Sequence, residues 1–118
     1  MERDTDFVVV LSTAPSEEVG RKIARDIVRA RLAACVNVVP GVVSIFEWKG
    51  KLEEENEVLL VMKTTRDRAG EVVRKVVELH PYEVPEVIAL PIVEGNPEYL
   101  SWVLSSADSE RIPEDSSK

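Results

Sequence analysis

Two long arms flank the turn Lys49-Gly50-Lys51, and their length constrains the fold more than any other feature of the chain. The first arm runs from Ala34 to Val39, is interrupted at Pro40-Gly41, and resumes from Val42 to Trp48. A strand bends or bulges at such a pair and cannot keep a regular central ladder through it. The second arm returns from Leu52 to Thr64, acidic at first (Glu53, Glu54, Glu55, Glu57) and then apolar from Val58 to Met62. Together they read as one hairpin. Each arm has about thirteen residues, which at about 3.3 Å per residue reaches about 40 Å. A first helix of about fifteen residues covers only about 22 Å. The hairpin is too long for its own domain to cover.

The remaining elements follow from local pattern. Residues 7–11 are a continuous apolar run and predict a buried strand. Ser16 is placed to cap a helix over 17–31, with Glu17 and Glu18 suiting its dipole. Val19, Ile23, Ala24, Ile27, Val28 and Ala30 form its apolar stripe. Ala69, Val72, Val73, Val76 and Val77 define a second helix, with Asp67 as the expected cap. It stops before His80-Pro81, because the residue preceding proline is pushed out of the helical region. Val87 to Leu90 predict a fourth strand ending at Pro91, and Asn96-Pro97 starts a short helix carrying Tyr99, Trp102 and Val103.

The order strand, helix, strand, strand, helix, strand predicts an α+β, ferredoxin-like βαββαβ sandwich, with a protruding β2–β3 hairpin and an extra C-terminal helix. Helices cover one face of its antiparallel sheet. The other face carries apolar residues that a monomer would expose, so self-association is expected. At 118 residues the chain predicts a single domain over residues 1–105. Residues 106–118, rich in Ser, Asp and Glu, are expected to form a disordered polar tail.

Composition excludes several classes of function. A net charge of −7 without a Lys/Arg cluster argues against a nucleic-acid partner. Neither a signal-peptide pattern nor an apolar run of membrane-spanning length is present, so a cytoplasmic protein without a membrane partner is expected. The single cysteine, Cys35, excludes an internal disulfide and fits a reducing compartment. No Ser/His/Asp set, Gly-rich phosphate loop or metal-hydrolase motif appears, and the loop Ser12-Thr13-Ala14-Pro15-Ser16 lacks the basic residue of an acylphosphatase-like site. An enzyme is not expected.

Chemistry-bearing residues concentrate at the helix-to-strand corner Leu79-His80-Pro81-Tyr82-Glu83-Val84-Pro85-Glu86. His80, the only histidine, offers an imidazole nitrogen to copper or zinc, with Glu83 or Tyr82 nearby. The competing reading is a helix-ending histidine that hydrogen-bonds locally while Pro81 and Pro85 hold the corner. Cys35 is either a third metal ligand or a small buried hydrophobe. Lys63 pairs with Glu83, receives an anionic ligand, or simply snorkels at a strand end. Trp48 and Trp102 read as interface and core anchors, Trp48 also as part of a ligand cleft with Lys63 and Tyr82. The Glu53–Glu57 run offers oxygen donors to hard cations such as Ca²⁺ or Mg²⁺, but strand alternation divides its side chains between two faces, so it reads rather as a solvated or inter-subunit ion-pairing stretch.

Several motifs in order, Val9 to Pro15, Ala30 to Asn37, Glu47 to Lys51, Val61 to Thr65, His80 to Pro85 and Tyr99 to Trp102, resemble the CutA family of divalent-cation tolerance proteins. The resemblance spans about residues 7 to 105. It implies a homotrimer built through the long hairpins, a likeness to the PII signalling proteins, an association with copper and other divalent cations, and no catalytic activity. It also implies a fuller ligand set in members that carry Cys where this chain has Ser12 and His where it has Leu79. Two alternatives stay open: a PII-like trimer holding a small anionic ligand between subunits, and a scaffold without a ligand.

Overall fold

In the computed structural model, residues 6–108 are described. The elements are β1 (Phe7–Ala14), α1 (Glu17–Arg29), β2 (Cys35–Trp48), β3 (Lys51–Thr65), α2 (Arg66–Leu79), β4 (Val87–Pro91) and α3 (Pro97–Ser106). The four strands form one antiparallel sheet in the order β2-β3-β1-β4. The expected α+β mix and element order hold.

Strand alternation divides the sheet. Val8, Val10 and Ala14 of β1 and Val58, Leu60 and Met62 of β3 are buried on one face, against Ile23 and Ile27 of α1 and Val72 and Val76 of α2. Each such side chain removed from water contributes about 1.5–3 kcal/mol, so this layer is the main source of stability. Gly20, which breaks the helical pattern in the sequence, has a packing reason. A Cβ there would stand 2.8 Å from Val58 Cγ2 and 3.3 Å from Leu60 Cδ2, so its absence lets α1 settle onto the sheet. Val28, expected in the apolar stripe, is instead 40% exposed.

The hairpin is regular except at Pro40-Gly41. Val39 pairs with Leu59 and Val42 pairs with Glu57, so β2 carries one extra residue between these pairs. Gly41 takes φ +82°, a value that favours glycine. Because side chains alternate every residue, the extra one exchanges which β2 side chains share a face with β3 beyond it. The tip is a two-residue turn, Lys49 (φ 52°) and Gly50 (φ 80°), so Lys51 belongs to β3 rather than to the turn.

Two local expectations are corrected. Thr65, not Asp67, caps α2: its side chain accepts from the Arg68 backbone N–H at 3.3 Å. Asp67 lies inside the first turn, where its charge suits the dipole instead. The ordered chain also runs past residue 105. Ser106 ends α3, Ala107 is buried, and Asp108 stands 3.8 Å from the Arg68 guanidinium. The rest of the expected tail, residues 109–118, lies outside the described residues.

α3 lies on the sheet face away from α1 and α2, since its Tyr99 reaches Cys35, whose strand partner Lys63 pairs with Val9 of that face. It covers only part of that face. Val39, Ile88 and Leu90 remain 40%, 48% and 45% exposed there.

Candidate functional site

The corner is built around His80. Its backbone leaves the helix at ψ 140°, as a residue before proline does, and swings the imidazole inward to 8% exposure. Nε2 lies 2.6 Å from the Thr13 carbonyl oxygen, and Nδ1 accepts the Tyr82 backbone N–H at 3.1 Å. The carbonyl only accepts, so Nε2 carries the hydrogen and donates it. Both nitrogens are engaged, which leaves neither lone pair for a metal. Ser12 Oγ adds a 2.7 Å bond to the Glu86 carbonyl oxygen, tying β1 to the entry of β4.

Tyr82 stacks obliquely on His80, with centroids 4.7 Å apart, and projects its phenol toward the hairpin. Its hydroxyl donates to Glu57 Oε2 at 2.6 Å, while Ser44 Oγ donates to Glu57 Oε1 at 2.6 Å. Glu57 is 7% exposed. A buried carboxylate is tolerated where strong donors replace its water, and here there are two. Burial first, then the bond to Glu57 and the charges of Glu57 and Glu55, push the Tyr82 phenol far above its ordinary value.

Between this corner and the outer hairpin opens a groove of about 820 Å³. One wall is the hairpin, with Ser44, Phe46 and Trp48 of β2 beside Glu53, Glu55 and Glu57 of β3. The other carries Tyr82, Glu83, Val84 and Glu86. No Lys or Arg among the described residues lines it. Among the described residues, Glu53, Glu55, Glu83 and Glu86 enter no side-chain hydrogen bond or ion pair.

A second cluster sits at the far end of the sheet. Lys63 Nζ lies 3.8 Å from Cys35 Sγ and donates to Asn37 Oδ1. Cys35 is half-buried. Burial and the adjacent Cys35 raise the Tyr99 phenol.

The six candidate residues are therefore divided. Tyr82, Trp48 and Glu83 share the groove, with His80 behind it as the anchor of Tyr82. Cys35 and Lys63 pair with each other across β2 and β3, level with Val9, whereas His80 bonds at Thr13. Four residues along a strand separate those levels by about 13 Å, so Cys35 does not join His80. Among the described residues no three His, Cys, Asp or Glu side chains converge as a metal-holding group. Glu57, Ser44 and Phe46 belong to the groove and were not foreseen as site residues. The signal for them is the bulge at Pro40-Gly41, which aligns Ser44 with Glu55 and Phe46 with Glu53.

The CutA1 divalent ion tolerance protein family matches residues 8–106. The divalent-cation tolerance protein CutA of Thermus thermophilus is 56% identical over 95 residues, covering 80% of this chain and 92% of that protein. A CutA homolog of Xenopus laevis is 55% identical over 91 residues, covering 77% of this chain and 60% of the frog protein. The crystal structure of CutA from Xylella fastidiosa superposes with a TM-score of 0.85 at 39% identity, covering 87% of this chain and 99% of the other. With this match running from β1 through α3, the chain belongs to the CutA1 family of divalent-ion tolerance proteins.

Proposed function

We propose that the chain works as a non-enzymatic, cytoplasmic homotrimer, ferredoxin-like in each subunit and PII-like in assembly, that takes up divalent cations, copper among them, in a metal-tolerance role. The observation that carries this reading is the groove: among the described residues, four carboxylates without side-chain partners face it and no basic residue does. Oxygen donors of this kind suit divalent cations. Among the described residues one chain does not bring three such side chains together, so in this reading a neighbouring subunit supplies the remaining donors. Self-association is supported by Val39, Ile88 and Leu90, which form exposed apolar surface where α3 ends its cover.

The non-enzymatic reading is supported by the state of His80, the only imidazole in the chain, whose nitrogens are both held by backbone groups. An anionic ligand is disfavoured in the groove by its lining, and the Lys63 ammonium is engaged at the other end of the sheet. Calorimetric titration of the assembled protein with Cu²⁺, Zn²⁺ and Mg²⁺ tests the reading. Saturable binding that survives His80→Asn and is lost in Glu53→Gln/Glu55→Gln supports it. Absence of heat with every cation contradicts it.

A further inference from the structure

We propose that the corner is a pH-sensitive latch: neutral His80 holds it to β1 and to the hairpin, and protonation of His80 releases Tyr82. No bound cation takes part. The device is a chain of hydrogen bonds running from β1 to the hairpin. His80 Nε2 donates to the Thr13 carbonyl, the Tyr82 backbone N–H donates to His80 Nδ1, and the Tyr82 hydroxyl donates to Glu57. One link in it depends on charge. A neutral imidazole donates from one nitrogen and accepts at the other, whereas an imidazolium carries a hydrogen on each and accepts at neither. Nε2 is already the donor to Thr13, so an added proton goes to Nδ1. There it opposes the Tyr82 N–H at 3.1 Å, and two donors meet without an acceptor.

The charged neighbours do not supply one. From β3, Glu57 lies behind the Tyr82 hydroxyl with its oxygens taken by Tyr82 and Ser44, and Glu55 stands farther along the same strand face. From α1, Lys22 and Asp26 face Leu79 and Pro81 and pair with each other at 3.3 Å. Within the corner, Glu83 and Glu86 turn to the groove. The Tyr82 phenol, 4.7 Å from the imidazole between ring centroids, keeps its proton well beyond the ordinary tyrosine range. The ring itself is 8% exposed, so relief comes from moving the backbone that bears Tyr82. Residues 81–86 belong to neither helix nor strand, and Pro81, Glu83, Val84 and Glu86 are exposed. The corner therefore gives way before the sheet does. Its release also takes from Glu57 one of its two side-chain donors, so the corner lets go of the hairpin in the same event.

Proton–nitrogen NMR of the assembled protein tests the latch, with pH lowered from about 8 to about 5, the span in which imidazoles ordinarily change charge. His80 is the only histidine, so its ring signals are unambiguous. The ring and the Tyr82 amide are expected to shift with one midpoint. Hydrogen-exchange protection of that amide should fall about fivefold or more, as for one lost hydrogen bond, while the buried Val10 and Leu60 hold theirs. His80→Asn, whose side chain does not titrate, is expected to abolish the response of the amide. If that variant does not fold, Tyr82→Phe, which keeps the amide and cuts the link to Glu57, is expected to retain it. A ring that titrates while the Tyr82 amide stays still overturns the proposal. An amide response that persists in His80→Asn or disappears in Tyr82→Phe also overturns it, since the titrating group is then another one. A ring that takes no proton until Val10 and Leu60 lose protection does the same, because the whole fold then opens and not the corner.

Discussion

Tyr82 donates a 2.6 Å hydrogen bond to Glu57, and through it the corner loop is fastened to the middle of β3. The bond matters because Glu57 is buried and has one further side-chain donor, Ser44. Tyr82→Phe keeps the ring against His80 and removes only the hydroxyl. The expected loss is about 2 kcal/mol, the range for a hydrogen bond to a charged group. Urea denaturation checks it, and an unchanged midpoint would mean that water replaces the phenol at no cost.

The same pair gives stability a dependence on alkaline pH. In the unfolded chain a tyrosine ionises near pH 10, whereas burial and Glu57 hold the folded Tyr82 above that value. The folded state therefore binds the proton more tightly. The associated stabilisation is fully present below about pH 10 and is lost as pH rises from there toward the folded value. In a Tyr99→Phe background, the phenolate absorbance of Tyr82 should appear well above the pH at which the urea-unfolded chain titrates. Adding Glu57→Gln should lower the midpoint partway, since burial, the largest single cause, remains.

His80 is predicted to matter for stability and not for metal. His80→Ala leaves the Thr13 carbonyl and the Tyr82 N–H without their partner and empties a buried site, a loss of about 2–4 kcal/mol. Thermal melts with and without Zn²⁺ or Cu²⁺ separate the roles. The expected result is a lower melting temperature with the same metal-induced shift as the native chain. Loss of that shift in the variant would restore His80 as a ligand.

Gly20→Ala is a sharp test of how α1 seats. The new methyl would meet Val58 Cγ2 at 2.8 Å, with Leu60 Cδ2 behind it at 3.3 Å. Overpacking of this kind costs about 1–3 kcal/mol, against the roughly 1 kcal/mol that alanine ordinarily gains over glycine in a helix. Net destabilisation in a chemical melt is expected, and a more stable variant would show that α1 shifts freely on the sheet.

Much of this architecture was legible because it depends on local signals. The hairpin, the Ser16 cap and the stop before His80-Pro81 all follow from neighbours in sequence. What was not legible depends on register. Cys35 and His80 look equally available as ligands until pairing places one level with Val9 and the other at Thr13. The acidic run Glu53–Glu57 reads as divided between faces, which it is. One half of it nevertheless falls beside Phe46 only because Pro40-Gly41 adds a residue to β2. The cap of α2 shows the same limit on a smaller scale. Thr65 and Asp67 both suit the role by composition, and the last residue of β3 takes it because its extended backbone aims its hydroxyl at the Arg68 N–H.

The account rests on the uncovered sheet face being closed by further copies of the chain. Native mass spectrometry of the purified protein, beside an Ile88→Glu/Leu90→Glu variant, tests that directly. Both positions are exposed in the single chain, so the variant is expected to fold. The predicted result is a trimer for the native sequence and a folded monomer for the variant. A native chain that stays monomeric at micromolar concentration, with Ile88 and Leu90 open to water, would contradict the account.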